Sequence, residues 1–176
     1  MTRKAATGAS KRSAARLAAV QALYEIDITA APPDPVLIEF MAKRWTVDPE
    51  TGERLVGAAA EGRGSRLMEP DAALLGELVR GVAARQAELD SCIGPTLSGE
   101  WTVERLEVLL RSILRAGTFE LIAKPDVPAP VVISEYVDVA HAFFAGNEPA
   151  LVNAVLDRLA RTLRPGEMDG AAPGPR

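Results

Sequence analysis

The chain has 176 residues, 48% hydrophobic and 25% charged, the balance of a folded protein of one domain or two small subdomains rather than of a disordered chain. With a single cysteine (Cys92) and a single histidine (His141), it can supply neither a disulfide framework nor a four-ligand structural zinc site, and a Ser-His-Asp or Cys-His catalytic set would have to use that one imidazole. The net charge of −4 is unevenly spread: residues 1–24 hold Arg3, Lys4, Lys11, Arg12 and Arg16 and no acid, so the remainder of the chain carries −9, the footprint of an arm that meets polyanions attached to a body that does not.

Aromatic residues are few (Trp 2, Tyr 2, Phe 4) while Ala, Leu and Val dominate, which points to an aliphatic core of closely packed helices. No apolar run approaches the roughly 20 residues needed to cross a bilayer, and the opening residues lack the apolar middle of a secretory signal. The expectation is a cytoplasmic protein without a membrane partner. Residues 1–9 read as a flexible basic arm, and Ser10 as the cap of a first helix running to about Ile28, stopped by Thr29 and the Ala-Ala-Pro-Pro that follows it. Ala15, Ala18, Ala19 and Ala22 permit close approach beside Val20, Leu23 and Ile26. Arg12 and Arg16, one turn apart, are expected to project from one side of this helix and to straddle neighbouring phosphates of an RNA backbone.

A short amphipathic helix is predicted from Val36 to about Trp45, followed by a loop insertion over residues 46–69, where Gly52, Gly57, Gly62 and Gly64 interrupt every periodicity. Within it the stretch from Gly57 to Ser65 superficially resembles a phosphate-binding P-loop. However, Arg63 replaces the lysine, Gly64 displaces the hydroxyl by one position and no strand precedes it, so the loop–helix mechanism of that motif is not available. Pro70 then starts a long predicted helix over 71–92, in which Gly76 and Gly81 weaken the helix by up to ~1 kcal/mol each and suggest that another helix approaches closely there. Gly94 and Pro95 close it.

From Thr102 to about Ala123 the positions Leu106, Leu110, Ile113, Gly117 and Leu121 keep helical spacing. Glu104, Arg105, Glu107, Arg111 and Arg115 fall largely on the other faces, an alternation that reads as solvent-exposed. Lys124 and Pro125 end this helix. Another is predicted from near Val131, with Ile133, Val137, Ala140 and Phe144 as its seam and His141 beside it. Asn147 reads as the cap of a last helix, Glu148 to about Leu163, packing Val152, Val155, Leu159 and Leu163 inward. Residues 167–176 read as a disordered tail with too little apolar content to dock. Six helices, no strand, no repeat, no cofactor loop and no metal-ligating set emerge: an all-α protein whose single domain spans 10–166, without catalytic machinery.

Two stretches carry more than periodicity: Val20-Gln-Ala-Leu-Tyr24 after a basic segment, and Asp126-Val-Pro128 followed by Val132-Ile-Ser-Glu135 and the run from Leu151 through Asn153 to Asp157. Together with Leu78-Val-Arg-Gly81, Leu89-Asp90, Ile113-Leu-Arg115 and Phe119-Glu-Leu121 between them, they resemble, in order, the hallmark segments of the NusB family of bacterial transcription antitermination factors over roughly residues 11–166. The resemblance implies an all-α fold of two three-helix bundles packed together. It also implies a non-enzymatic adaptor that binds the boxA element of ribosomal RNA operon transcripts together with NusE, the small-subunit ribosomal protein, in the RNA polymerase antitermination complex. The alternative reading, from the alanine-rich helix surfaces, is an interaction module that forms a homodimer and covers its basic face. In the adaptor reading Lys11, Arg12, Arg16 and Tyr24 face RNA, the tyrosine offering a ring on which an unpaired base stacks. Glu77, Asp90, Glu135, Asp138, Asn147 and Glu148 are the residues expected to face a basic partner protein. Asn153 is expected to be a buried amide that satisfies loop carbonyls. Ser13 and Ala14 stand where the family often has arginines, so RNA binding is expected to be weak for the chain alone and firm once the partner adds its own contacts.

Overall fold

The computed structural model describes residues 2–43, 69–99 and 101–169, and the side chains of all of these except 2–10, 42 and 43. Every regular element among them is helical, and no helix among them is long and apolar enough to cross a membrane. The insertion between the second and third helices, including the P-loop-like stretch, lies outside the described residues up to 68. The chain divides into two compact units, Met1–Arg80 and Gly81–Arg176.

In the first unit, α1 (Thr2–Thr29) starts eight residues before Ser10, so the expected flexible arm over 1–9 is corrected to a helix from Thr2 onward. The Lys-, Arg- and Ala-rich opening has high helix propensity, interrupted only by Gly8. At the other end Thr29 Oγ1 donates to the carbonyl of Glu25 at 2.7 Å, and Ala30 adopts a left-handed φ of 54°. A left-handed residue just past a helix is the usual way to end it, and two prolines then bar its resumption. α2 (Pro33–Lys43) places Pro33 where the missing N–H costs nothing, and packs on α1. It buries Val36, Leu37 and Phe40, each worth about 1.5–3 kcal/mol, while Ile38 remains exposed. Asp71 caps the third helix, its Oδ1 accepting the Leu74 N–H at 3.0 Å, and its own N–H donates to the carbonyl of Lys11 at 3.0 Å. Arg80 reaches back to Asp34, Nε to Oδ1 2.7 Å.

The helix predicted over 71–92 is in fact two, α3 (Ala72–Ala84) and α4 (Gln86–Ile93), separated at Arg85, whose backbone (φ −124°, ψ 22°) leaves the helical region. The helix expected from Thr102 is likewise divided. A 3-10 turn, Val103–Arg105, precedes α5 (Val108–Ala123), because Leu106 and Glu107 are extended. α6 (Ala129–Phe143) begins two residues before its predicted start, and α7 (Glu148–Leu163) has the predicted bounds.

α5 is the axis of the second unit and packs against α4, α6 and α7. Every residue from Ser112 to Leu121 is buried, which overturns the expectation of a charged, exposed face at Arg115. Its guanidinium donates through Nε and Nη2 to the two carboxylate oxygens of Asp90, both at 2.7 Å, a paired fork geometry that makes burial of the charge tolerable. Glu120 is fully buried and accepts the Tyr136 hydroxyl at 2.9 Å. Arg164 closes the C-terminal end of α5 by donating to the carbonyls of Glu120, Leu121, Lys124 and Val127 at 2.6–3.2 Å, at an end where the last carbonyls of a helix lack intrahelical partners.

Three further expectations change here. Leu163 continues the buried stripe of α7 (Val152, Val155, Leu156, Leu159 and Ala160) but, as the last residue of the helix, is 39% exposed rather than packed inward, and Asn153, outside that stripe, is exposed rather than buried. The expected tail does not begin at 167. Pro165–Met168 forms the short helix α8, Met168 is buried, and Glu167 Oε2 accepts the Ala129 N–H at 2.7 Å at the start of α6.

Candidate nucleic-acid interface

The residues assigned to RNA all lie on α1, and helical geometry decides which of them are presented. At about 100° per residue, the buried positions Ala15, Ala18, Ala19, Val20, Ala22, Leu23 and Ile26 cover an arc of about 200°. Arg16 falls inside this arc, about 20° from Leu23, and is only 2% exposed. The expectation that Arg16 projects with Arg12 onto phosphates is therefore corrected: the i, i+4 spacing does align the two residues, but within the buried arc rather than on the open face, and Arg16 is the one that the arc covers. Removing Arg16 from the surface set leaves Lys11, Arg12 and Tyr24.

Lys11 and Arg12 are partly exposed, one turn before the arc closes over the helix. The Lys11 ammonium stands 3.7 Å from the Glu69 carboxylate, with both side chains about half exposed, a long and solvated pair that holds the cation only loosely. Tyr24 is 41% exposed. On an ideal helix it lies about 18 Å along the axis from Arg12 and about 120° around it, so a chain touching both must pass obliquely across α1. The open face around the ring consists of Ala14, Leu17, Gln21 and Ile28, none of them deeply buried. Charge is graded along the same helix, with cations at its start and Glu25 and Asp27 flanking the ring. Phosphates are therefore favoured at the Lys11 end and disfavoured beside Tyr24, where an uncharged base face is the better occupant.

The six residues assigned to a protein partner are divided between the two units. Glu77, on α3, belongs to the first unit and is exposed. In the second unit Asp90 is occupied by Arg115. Glu135 and Asp138 lie on α6, the latter exposed. Asn147 precedes α7 but makes no side-chain capping bond. Glu148 folds one carboxylate oxygen over Gly146, 2.7 Å from where a Cβ at that glycine would stand. Three residues escaped the sequence reading: Glu69, assigned to the loop; Gln21, taken as part of a hallmark segment only; and Phe119, whose ring lies against Gly81. A helical wheel could have found Gln21 beside Tyr24, since it needs only the sequence.

The sequence profile of the NusB family matches residues 13–161. Transcription antitermination protein NusB of Nitrobacter hamburgensis is 45% identical over 159 residues, covering 90% of this chain and 91% of the relative, and that of Rhizobium rhizogenes is 44% identical over 156 residues, covering 89% of each. Among solved structures, T. maritima NusB superposes with a TM-score of 0.67 at 25% identity over 90% of this chain and 96% of that one. A structure of antitermination factors NusB and NusE in complex with dsRNA has the same fold, with a TM-score of 0.65 at 21% identity over 92% of this chain and 99% of that one.

Proposed function

The chain belongs to the NusB family, and from that premise we propose that it is a non-enzymatic RNA-binding adaptor that joins NusE on boxA-type single-stranded RNA of ribosomal RNA operon transcripts and promotes transcription antitermination within the RNA polymerase complex. The observation that carries this reading is α1 itself: two accessible cations, Lys11 and Arg12, precede an exposed tyrosine ring on the open side of a helix whose other side is locked into the first unit. Cations give salt-dependent phosphate contacts, and an exposed ring gives a stacking platform for an unpaired base. The related structure that contains NusB, NusE and dsRNA together supports both kinds of partner. Glu77, Glu135, Asp138, Asn147 and Glu148 are proposed as partner-facing, since a body of net −9 outside residues 1–24 suits a basic ribosomal protein.

Titration of labelled single-stranded boxA-type RNA with the protein, with and without NusE and at two salt concentrations, tests the reading. Binding that tightens when NusE is present and weakens steeply with salt is the expected result. Affinity indifferent to both would overturn it. A duplex of the same sequence in parallel separates single-strand from double-strand preference, and light scattering of the free protein reports whether a homodimer forms.

A further inference from the structure

We propose that Gln21 is a specificity-determining residue: its side-chain amide reads the base that stacks on Tyr24 and favours adenine there. This deepens the RNA-binding reading above and rests on it.

The argument starts from placement. Gln21 precedes Tyr24 by three residues, so the two side chains are neighbours on the helix surface with Cβ atoms about 5–6 Å apart. On the wheel Gln21 falls between Tyr24 and Glu25 and within about 20° of Ile28, on the open side of α1, and it is partly exposed while Tyr24 and Ile28 are exposed. The other side chains around the ring do not offer this chemistry. Leu17 and Ile28 are apolar, and Glu25 and Asp27 can only accept hydrogen bonds and already have interactions of their own. Gln21 alone among them combines a donor and an acceptor on one planar group, and no hydrogen bond among the described residues engages it.

A base lying on the ring would turn one edge toward that amide. Adenine presents an N6 donor beside an N7 acceptor, the complement of a glutamine amide, whereas guanine presents two acceptors on the same edge. Single-stranded RNA exposes these edges because its bases are free to splay from the stack. The acidic residues beside the ring strengthen the choice, since they repel a phosphate placed there and leave the base as the group that enters.

The test uses the full chain with NusE and a set of short U-rich RNAs in which one adenine is walked along the sequence and replaced at each place by guanine. The wild-type protein is expected to prefer adenine over guanine at one position by about 5-fold. Gln21→Leu should bring that ratio to about one by weakening the adenine-bearing RNA, with the salt dependence unchanged because no charge is removed. Gln21→Glu, which keeps the shape but cannot donate to N7, should also lose the preference, and its added negative charge should lower affinity for every member of the set. Tyr24→Ala should weaken binding to all members and abolish the preference. A preference that survives Gln21→Leu, or equal binding of adenine and guanine at every position by the wild type, overturns the assignment of Gln21. If no RNA of the set is bound at all, the RNA-binding reading falls, and this one with it. Circular dichroism of each variant keeps an unfolded protein from counting as evidence.

Discussion

The ring of Phe119 occupies the space a side chain at Gly81 would need: a Cβ there would stand 2.1 Å from Phe119 Cζ and 2.4 Å from Cε2. Over the ring the Arg85 guanidinium lies 5.7 Å from its centroid, within range of a cation–π attraction. The glycine in α3 thus exists for the aromatic residue of α5. Gly81→Ala gains up to ~1 kcal/mol of helix propensity but forces a buried ring to move, at a cost of about 1–3 kcal/mol. A net loss of stability of about 1–2 kcal/mol is expected in urea denaturation. Adding Phe119→Leu should restore part of it, because the clash is between those two groups. Purely additive effects of the two substitutions would show that they do not meet.

Arg12 and Arg16 are one turn apart and should behave as opposites. Arg12→Ala is expected to leave the unfolding transition in place, lower RNA affinity across sequences and reduce the slope of log affinity against log salt by about one. Arg16→Ala removes a side chain that is 2% exposed, so its first effect should be on folding, by about 2 kcal/mol, as the atoms it satisfies lose their partner. A salt slope changed by Arg16→Ala in protein that is fully folded would contradict the burial assignment.

The helices with a wide apolar stripe were legible residue by residue: α7 has the bounds its seam predicts, and the closures after Ala123 and at the prolines following Thr29 are where glycine, proline and lysine signals put them. What failed did so for physical reasons. The break at Arg85 has no proline or glycine at that position to announce it, and shows only in the backbone angles of the residue itself. Arg115 carries a charge that reads as solvent-facing until Asp90, 25 residues away, takes it inside, and the buried Glu120 is met by Tyr136, 16 residues away. Arg16 shows the same limit within the candidate site. Spacing along one helix says which side chains are aligned, but the side that is covered depends on the rest of the fold. Tyr24 is 41% exposed, on the side of α1 opposite the alanine-rich seam.

Ala30 holds a φ of 54° immediately after α1, a conformation that costs an L-residue with a Cβ about 1–2 kcal/mol. Ala30→Gly removes that strain but adds unfolded-chain entropy of about 0.5–1 kcal/mol. A gain of about 0.5 kcal/mol, read as a small rise in the thermal midpoint, is the expected balance. RNA binding should not change, because the backbone path out of the helix is kept. Ala30→Val should lower the midpoint, since branching at Cβ makes the left-handed region costlier still.

Glu88 accepts two hydrogen bonds from Arg85, at 2.7 and 2.6 Å, which hold its carboxyl below the ordinary glutamate value of 4.5. A carboxyl depressed in the folded state contributes stability above its unfolded pKa and loses it as pH falls through the folded one. The stability difference between wild type and Glu88→Gln should therefore be constant near neutrality, shrink below about pH 4.5 and vanish in stronger acid. A difference that is unchanged in acid would mean that the pair does not survive in solution, where both groups are solvated.

Glu69 is the carboxylate nearest to a proposed phosphate contact, 3.7 Å from the Lys11 ammonium. Glu69 and RNA phosphate therefore compete for the same cation, and the competition is weak because both side chains are about half exposed. Glu69→Gln should raise RNA affinity by about 2-fold at low salt, with the gain disappearing as ionic strength screens the pair. The backbone bond from Asp71 N–H to the Lys11 carbonyl does not depend on that side chain, so the position of α1 should be preserved and stability nearly unaltered. The combination with Lys11→Ala decides the cause. If Lys11 is the contact, Glu69→Gln should have little effect once the lysine is gone, whereas an equal gain in both backgrounds would place the effect of Glu69 on RNA directly and not through Lys11.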